Sequence, residues 1–572
     1  MKRCLLPFVF MFVLMFALVC CLGICAAAQE SMSTPEQAAL KAIRPDAIRA
    51  HMRFLSDSLL TGRAPGTPGY EIAARYVAAQ LEAAGLRPAG VNGTWYQTVP
   101  LRKSVVDDAK SSLVLVSTGH QGKSGEQTLV SLKDYVMFGD LNRSEVSVEA
   151  PVVFAGFGVT AKERDYDDYA GADVKGKIVV VLSNAPAKFP STLRAYYSDY
   201  IVKQRNAVAH GAVGFMSMQL PEDQKRFAWD WIVPQIQMGN MEWLEKDGNP
   251  HNGFPELGAG AAISQSGAEK LFAGASKTLD QLYATSRAGQ PQSLALPVTA
   301  RIHALSSHSA TDSPNIIGEV QGSDPVLRNQ YVVYTAHVDH LGICPAVNGD
   351  NVCHGALDNA SGVASQLEIA RVFASLPKAP RRSLLFVFVT GEEMGLLGSD
   401  YFASFPTVPR SAIAANINID GAPGLYYAMK DLVVLGIEHS SLERYVQSAA
   451  KRIGYSLTPD PMPEENFFIR SDQYSFVQQG VPAVDITDGI QSIDPKIDGF
   501  KLQKEWSVTK YHTPLDNMDQ VLDYESGAKA AGVNFLVGYE VAQQEAAPTW
   551  NKGDFFGDKF GARHAGGSQA GN

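Results

Sequence analysis

His337, Asp358, Glu392, Glu393, Asp420 and His512 are the residues of this sequence whose types and placement can do chemistry together. Two imidazoles and four carboxylates supply borderline nitrogen and hard oxygen donors without a thiolate, the mix that suits a catalytic rather than a structural Zn²⁺. The adjacent Glu392 and Glu393 are the sharpest signal. Like charges that close oppose each other's ionisation unless a cation or a proton satisfies them, and here they follow the apolar run from Leu384 to Val389 after only Thr390-Gly391. Asp358, in GALDNASGVA, has two carboxylate oxygens and can bridge two cations. Two zinc ions sharing it would polarise a carbonyl and activate water near neutral pH. Other hydrolytic chemistries find less support. No G-x-S-x-G nucleophile elbow occurs, and Cys353 beside His354 is better placed for a disulfide than for a thiolate.

The elements that must position these groups read as α/β. Apolar runs at Tyr331 to Ala336, Leu384 to Thr390 and Ala414 to Ile419 predict buried strands, and each leads into a polar group: His337 in TAHVDHLG, Glu392-Glu393, and Asp420 in NINIDG. Val481 to Thr487 reads as a fourth strand. Helices are predicted over Gly69 to Ala84, with Gly85 as its stop, Ala360 to Leu376 and Ser441 to Ile453. Strands alternating with helices imply a mixed, mostly parallel sheet flanked by helices. In such a sheet ligands sit at the carboxyl ends of the strands, so three strands deliver His, Glu and Asp to one edge.

From about Val146 to Gln292 the texture changes to short glycine-broken β runs, APVVFAGFGV, GKIVVVLSN and GAVGFMSM. A structureless connection that long is uncommon, so a β-rich inserted domain is expected at 146–292. It would split the site-bearing domain into 29–145 and 293–550, with a loosely held tail at 551–572. At the start, Lys2 and Arg3 precede an apolar run to about Ile24 and the small residues Ala26 to Ala28, which reads as a signal peptide over 1–28; the run is also long enough to stay as an anchor. The reading implies export to the periplasm or medium of a bacterium, with no stable membrane insertion after cleavage. Cys344 and Cys353 then remain, and an even number in an exported chain predicts a disulfide, two free thiols being the alternative. A net charge of −10 with no long basic run excludes nucleic acid as a partner.

The ordered set TAHVDHLG, GALDNASGVA, VTGEEMG, NINIDG and KYHTPLD resembles the M28 metallopeptidases, the secreted co-catalytic zinc aminopeptidases and their glutamate carboxypeptidase relatives, over about Ile43 to Trp550. The resemblance implies the zinc exopeptidase fold, peptide substrates and two Zn²⁺ per chain. His337 and Asp420 would hold one ion, Glu393 and His512 the other, and Asp358 would bridge them. Glu392 would be the general base, Asp339 the carboxylate that orients the His337 imidazole, and Tyr511 a support for the oxyanion. Asn359 fits the same pattern. RSDQYSF and GVPAVDIT resemble the segment beside the substrate pocket, and DYDDYAGADVKGKIVVVL resembles the protease-associated (PA) domain that such peptidases carry as an insert. One departure is ICPAVNGDNVCH between His337 and Asp358, read as a disulfide-tied loop at the pocket rim. Aminopeptidase action is favoured by the resemblance over carboxypeptidase or dipeptidase action. A metal-free binding protein on this fold is the rival of another class, but it should have lost ligands that this chain retains. Phe467, Phe468, Tyr474 and Phe476 line the pocket or pack the core. The oligomeric state is not indicated.

Overall fold

The computed structural model describes residues 32–117 and 125–564. The expected signal peptide at 1–28 lies outside the described residues. The sheet that carries the site is built from β1 (Tyr96–Val106), β2 (Leu294–Val320), β3 (Tyr331–His337), β4 (Ser383–Val389), β5 (Ile413–Asn418), β6 (Asp431–Leu435) and β7 (Ala483–Asp488). Their order in space is β1-β2-β4-β3-β5-β7-β6. The four central strands β4, β3, β5 and β7 are parallel, while β1, β2 and β6 pair antiparallel on the flanks.

Helices cover both faces. They are α1 (Pro68–Ala83), α2 (Gly362–Ala374), α3 (Leu442–Ile453), α4 (Gly499–Thr509), α5 (Tyr524–Gln543) and α6 (Phe555–His564). Thr67 caps α1 by accepting the N–H of Tyr70, with Pro68 at the first helical position, and α3 ends on Gly454 in the left-handed region. Every residue of β4 is buried, and its side chains alternate between two cores as the period of a strand requires. Leu384, Phe386 and Phe388 meet Phe373 of α2 and Phe535 of α5. Leu385, Val387 and Val389 face the opposite layer with Phe402, Phe476 and Phe556. Burial on both faces is why β4 is uninterrupted in its hydrophobicity.

A second sheet lies beside the first. Its order is Gly125–Thr128, Ser112–Ser117, the first half of β2, Glu145–Phe154, Ile178–Leu182, Gly214–Met218, Gly260–Ile263 and Tyr135–Met137. β2 is shared: it pairs in the second sheet up to Leu305 and with β1 from Ser306 onward. The boundary expected at Val146 therefore falls inside this sheet. Upstream of it the sheet already holds the apolar Ser112–Ser117, the three-residue Tyr135–Met137 and the fully exposed Gly125–Thr128, so the change of texture does not mark where the sheet begins. Asn240–Trp243 returns from the second unit to pair with Leu101 to Ser104 of β1.

The loosely held tail expected from 551 is corrected over its described part. Phe555–His564 form α6, which buries Phe556 and Phe560, and Asp554 pairs with His439 at 2.6 Å just before it. The anchoring signal is an aromatic pair one helical turn apart, hidden among glycines and charges. No helix among the described residues is long and apolar enough to cross a membrane.

Candidate metal centre

The carboxyl edge of the parallel strands collects the polar groups. His337 is the last residue of β3, Glu392 and Glu393 follow β4 through Gly391, which turns with φ +68°, and Asp420 follows β5. Asp358 sits in the turn that opens α2, and His512 in the turn after α4. Asn359 fastens two of these loops together. Its Oδ1 accepts the N–H groups of Gly362 and Gly421, both at 2.9 Å, and its Nδ2 donates to the carbonyl of Ile419.

Asp358 stands between two groups of donors. Its Oδ1 lies 3.3 Å from His337 Nε2, which is 3.2 Å from Asp420 Oδ1. Its Oδ2 lies 3.3 Å from His512 Nε2, which is 3.0 Å from Glu393 Oε2. Glu392 Oε2 is 3.9 Å from His337 Nε2. The ligand atoms of His337, Asp358 and Asp420 lie within 4.8 Å of one another, as do those of His337, Glu392 and Glu393.

The charges explain what such a cluster needs. Burial, reinforced by Asp420, Glu393 and Asp472, pushes Glu392 well above the usual carboxylate range, with His337 opposing. Burial and Asp358 push Glu393 up too, but His512 and His340 outweigh them and hold it at about 2. Burial alone would discharge both imidazoles; the surrounding carboxylates reverse this, holding His337 well above its ordinary value and His512 at about 9. The side chains by themselves thus draw protons onto imidazoles to offset buried negative charge. Cations at the same places would satisfy the same lone pairs. The fit is supported by His512, whose Nε2 is buried among carboxylates without the alignment of a hydrogen bond.

Several neighbours stand elsewhere than the sequence suggested. Asp339 Oδ1 is 3.9 Å from His337 Nδ1; its carboxylate instead accepts the backbone N–H groups of Glu392 and Glu393 at 3.2 and 3.3 Å. Tyr511 is buried, its phenol raised well above its ordinary pKa by burial and by Asp358, Glu393 and Glu392, and its hydroxyl accepts from Arg470 Nη2 at 3.1 Å. His340, which the sequence reading did not select, is fully buried with Nδ1 2.5 Å from Glu393 Oε1, the oxygen turned away from His512. Asp516, four residues after His512 in the same motif, was also missed; it accepts the N–H groups of Leu357 and Asp358. Cys344 and Cys353 are disulfide-bonded with Cα atoms 5.9 Å apart, closing a hairpin of Gly342–Val347 and Asp350–Cys353. Phe468, Tyr474 and Phe476 are core residues, whereas Phe467 lines the cleft.

That cleft, about 490 Å³, is bounded by Asp358, Glu392, Asp420 and Tyr511 and, from the second unit, by Lys225, Arg226 and Phe227. Arg226 fixes this contact by pairing with Glu465 at 2.7 Å and donating to the carbonyl of Glu464.

A parallel-centred sheet whose carboxyl edge gathers two His and three further carboxylates around Asp358 defines an α/β domain with a cluster that could hold a metal ion. Residues 315–536 match Peptidase family M28. The chain is similar to "Aminopeptidase YwaD" of Bacillus subtilis, 28% identical over 43% of this chain and 48% of that protein. It is similar to a "Probable zinc metalloprotease" of Pyrenophora tritici-repentis, 25% identical over 41% of this chain and 58% of that one. The matches span about half the length of these curated relatives. The fold is that of an aminopeptidase from Aneurinibacillus sp. strain AM-1, with a TM-score of 0.51, 20% identity, and coverage of 89% of this chain and 95% of the other.

Proposed function

We propose that this chain is an exported di-zinc exopeptidase that removes N-terminal residues from peptides. The observation that carries the reading is Asp358, with one oxygen toward His337 and Asp420 and the other toward His512 and Glu393. A bridging carboxylate has this use when two ions are bound. The names of the relatives, an aminopeptidase and a zinc metalloprotease, support the same class.

His337 and Asp420 would hold one Zn²⁺, Glu393 and His512 the other, and the ions would supply Lewis acidity for the scissile carbonyl and for water. The chain's own groups do the rest. Glu392, beside both donor groups but outside either, takes the proton of the attacking water and delivers it to the leaving amine. With cations bound, Glu392 would stay ionised for that task despite the neighbouring carboxylates. Tyr511, protonated and held by Arg470, aims a hydroxyl donor at the developing oxyanion.

The second unit is proposed as a protease-associated insert that forms part of the substrate cleft. Phe227 joins Met462, Phe467 and Leu435 in its lining, which suits an apolar residue at the N-terminus of the substrate. Lys225 and Lys504 also line the cleft, and a C-terminal carboxylate bound there would make the same centre a carboxypeptidase. Incubating the purified chain with a mixed peptide library and reading the products by mass spectrometry separates these readings. Chelator-sensitive shortening from the N-terminus is expected. Shortening from the C-terminus would favour the second reading, and no chelator-sensitive cleavage would overturn both.

A further inference from the structure

We infer that Arg63 is a positioning residue that sets His337 and Asp358 relative to each other from a turn far upstream of the M28-matched segment. The inference rests on the metal-centre reading above and adds a residue to it. Arg63 closes the turn Ser58–Arg63, in which Thr61, Gly62 and Arg63 have φ of +48°, +73° and +50°. Left-handed, glycine-like conformations at two non-glycine residues, Thr61 and Arg63, are uncommon and persist only where the surroundings enforce them. The enforcing contacts are visible. A Cβ added to Gly62 would stand 2.3 Å from the carbonyl oxygen of Gly342 and 2.7 Å from that of Cys353, so the base of the disulfide hairpin rests directly on this turn.

The Arg63 side chain then reaches inward and is 1% exposed. Its Nε donates to the carbonyl of Val338 at 2.8 Å, the residue after His337. Nη1 donates to His354 at 2.6 Å and also to Leu55, and Nη2 donates to Gly355 at 3.1 Å. His354 and Gly355 lead from the hairpin into Asp358. One planar guanidinium therefore fixes the strand end that carries His337 against the segment that carries the bridging carboxylate. Among the described residues it has no carboxylate at ion-pair distance, and its charge faces Asp339, Asp358, Asp516 and Glu393 from behind. A lysine would keep the charge but lacks the rigid fork needed to serve four carbonyls.

The test is R63K in the full-length chain, with zinc affinity measured by chelator competition and ligand geometry by the visible absorption of the Co²⁺-loaded protein. Zinc affinity is expected to fall about 10- to 100-fold, the usual effect of losing an outer contact of a metal ligand, and the Co²⁺ spectrum to shift. A residue that served fold stability alone would lower the melting temperature of the metal-free protein and leave both metal readouts at wild-type values; that result would overturn the inference. If R63K does not fold, G62A displaces the hairpin from the same turn, and unchanged zinc affinity in folded G62A would overturn it equally. Should the unsubstituted chain bind no zinc, the metal-centre reading would fall and this inference with it.

Discussion

Asp516 Oδ2 accepts the backbone N–H of Asp358 at 3.1 Å, so the residue proposed to bridge two ions is held from behind by a second, fully buried carboxylate. Asp516 also accepts the N–H of Leu357 at 3.0 Å and the side-chain amide of Gln520. Asn in its place keeps the volume but presents an NH₂ where an acceptor is needed. Asp516→Asn should lower zinc affinity about 10- to 100-fold, read by chelator titration; wild-type affinity would remove Asp516 from the support of the site.

Glu392 and Glu393 should fail differently. Glu393→Gln should lose metal, and excess Zn²⁺ should restore part of the activity. Glu392→Gln should keep both ions and lose about 10²–10⁴-fold in turnover, the worth of a positioned acid–base group, with the loss in kcat more than in KM. Elemental analysis of the two variants beside their kinetics checks the assignment. The opposite pattern of metal loss would exchange the two roles.

Metal analysis of the wild-type chain should approach two zinc equivalents. Exhaustive chelation should abolish peptide hydrolysis, and Zn²⁺ or Co²⁺ should restore it. Full activity with a single bound ion would contradict the bridging role of Asp358.

Phe227→Ala should leave zinc content unchanged and reduce kcat/KM for substrates with a large apolar N-terminal residue about 10-fold, while substrates beginning with Ala or Gly change little. The magnitude follows from a few buried methylene equivalents in a binding pocket. A uniform effect across the substrates would place Phe227 outside the specificity pocket.

Glu242 gives a pH prediction independent of any metal. Burial, reinforced by Asp400, raises its carboxyl to about 8 in the folded protein. A carboxyl raised above its unfolded value binds more protons when folded, so its contribution is complete below the unfolded pKa and is lost as pH rises through about 8. Glu242→Gln should therefore melt higher than wild type at pH 8 and close to it at pH 5, as calorimetry across that range would show.

What was legible in the sequence follows from how each residue acts. β4 was legible because both its faces are buried, leaving six apolar residues in a row before a charged pair. His337 and Asp420 were legible because strand ends locate them, and His512 because it stands in the KYHTPLD motif. Arg63 and Asp516 were not, because they act on main-chain carbonyls and N–H groups, which every residue offers and no motif marks. Asp339 shows the same limit. The resemblance implied that it orients the His337 imidazole, and its carboxylate receives the N–H groups of Glu392 and Glu393, a contact that depends on which loop lies opposite. α6 was hidden for another reason, since Phe556 and Phe560 pack on Tyr196 and Phe468, which are far from them in sequence.

The strand shared by the two sheets has a consequence for the order of synthesis. β1 finds its partner in β2 roughly 200 residues later, with Val106 opposite Ser306. At ordinary elongation rates of about 5–20 residues per second, β1 waits ~10–40 s for that partner to be made. Within that interval β1 gains only Asn240–Trp243, which pairs with Leu101 to Ser104 along its other edge. The edge of β1 that β2 closes therefore stays open until residue 306 has been made, past the middle of the 572-residue chain.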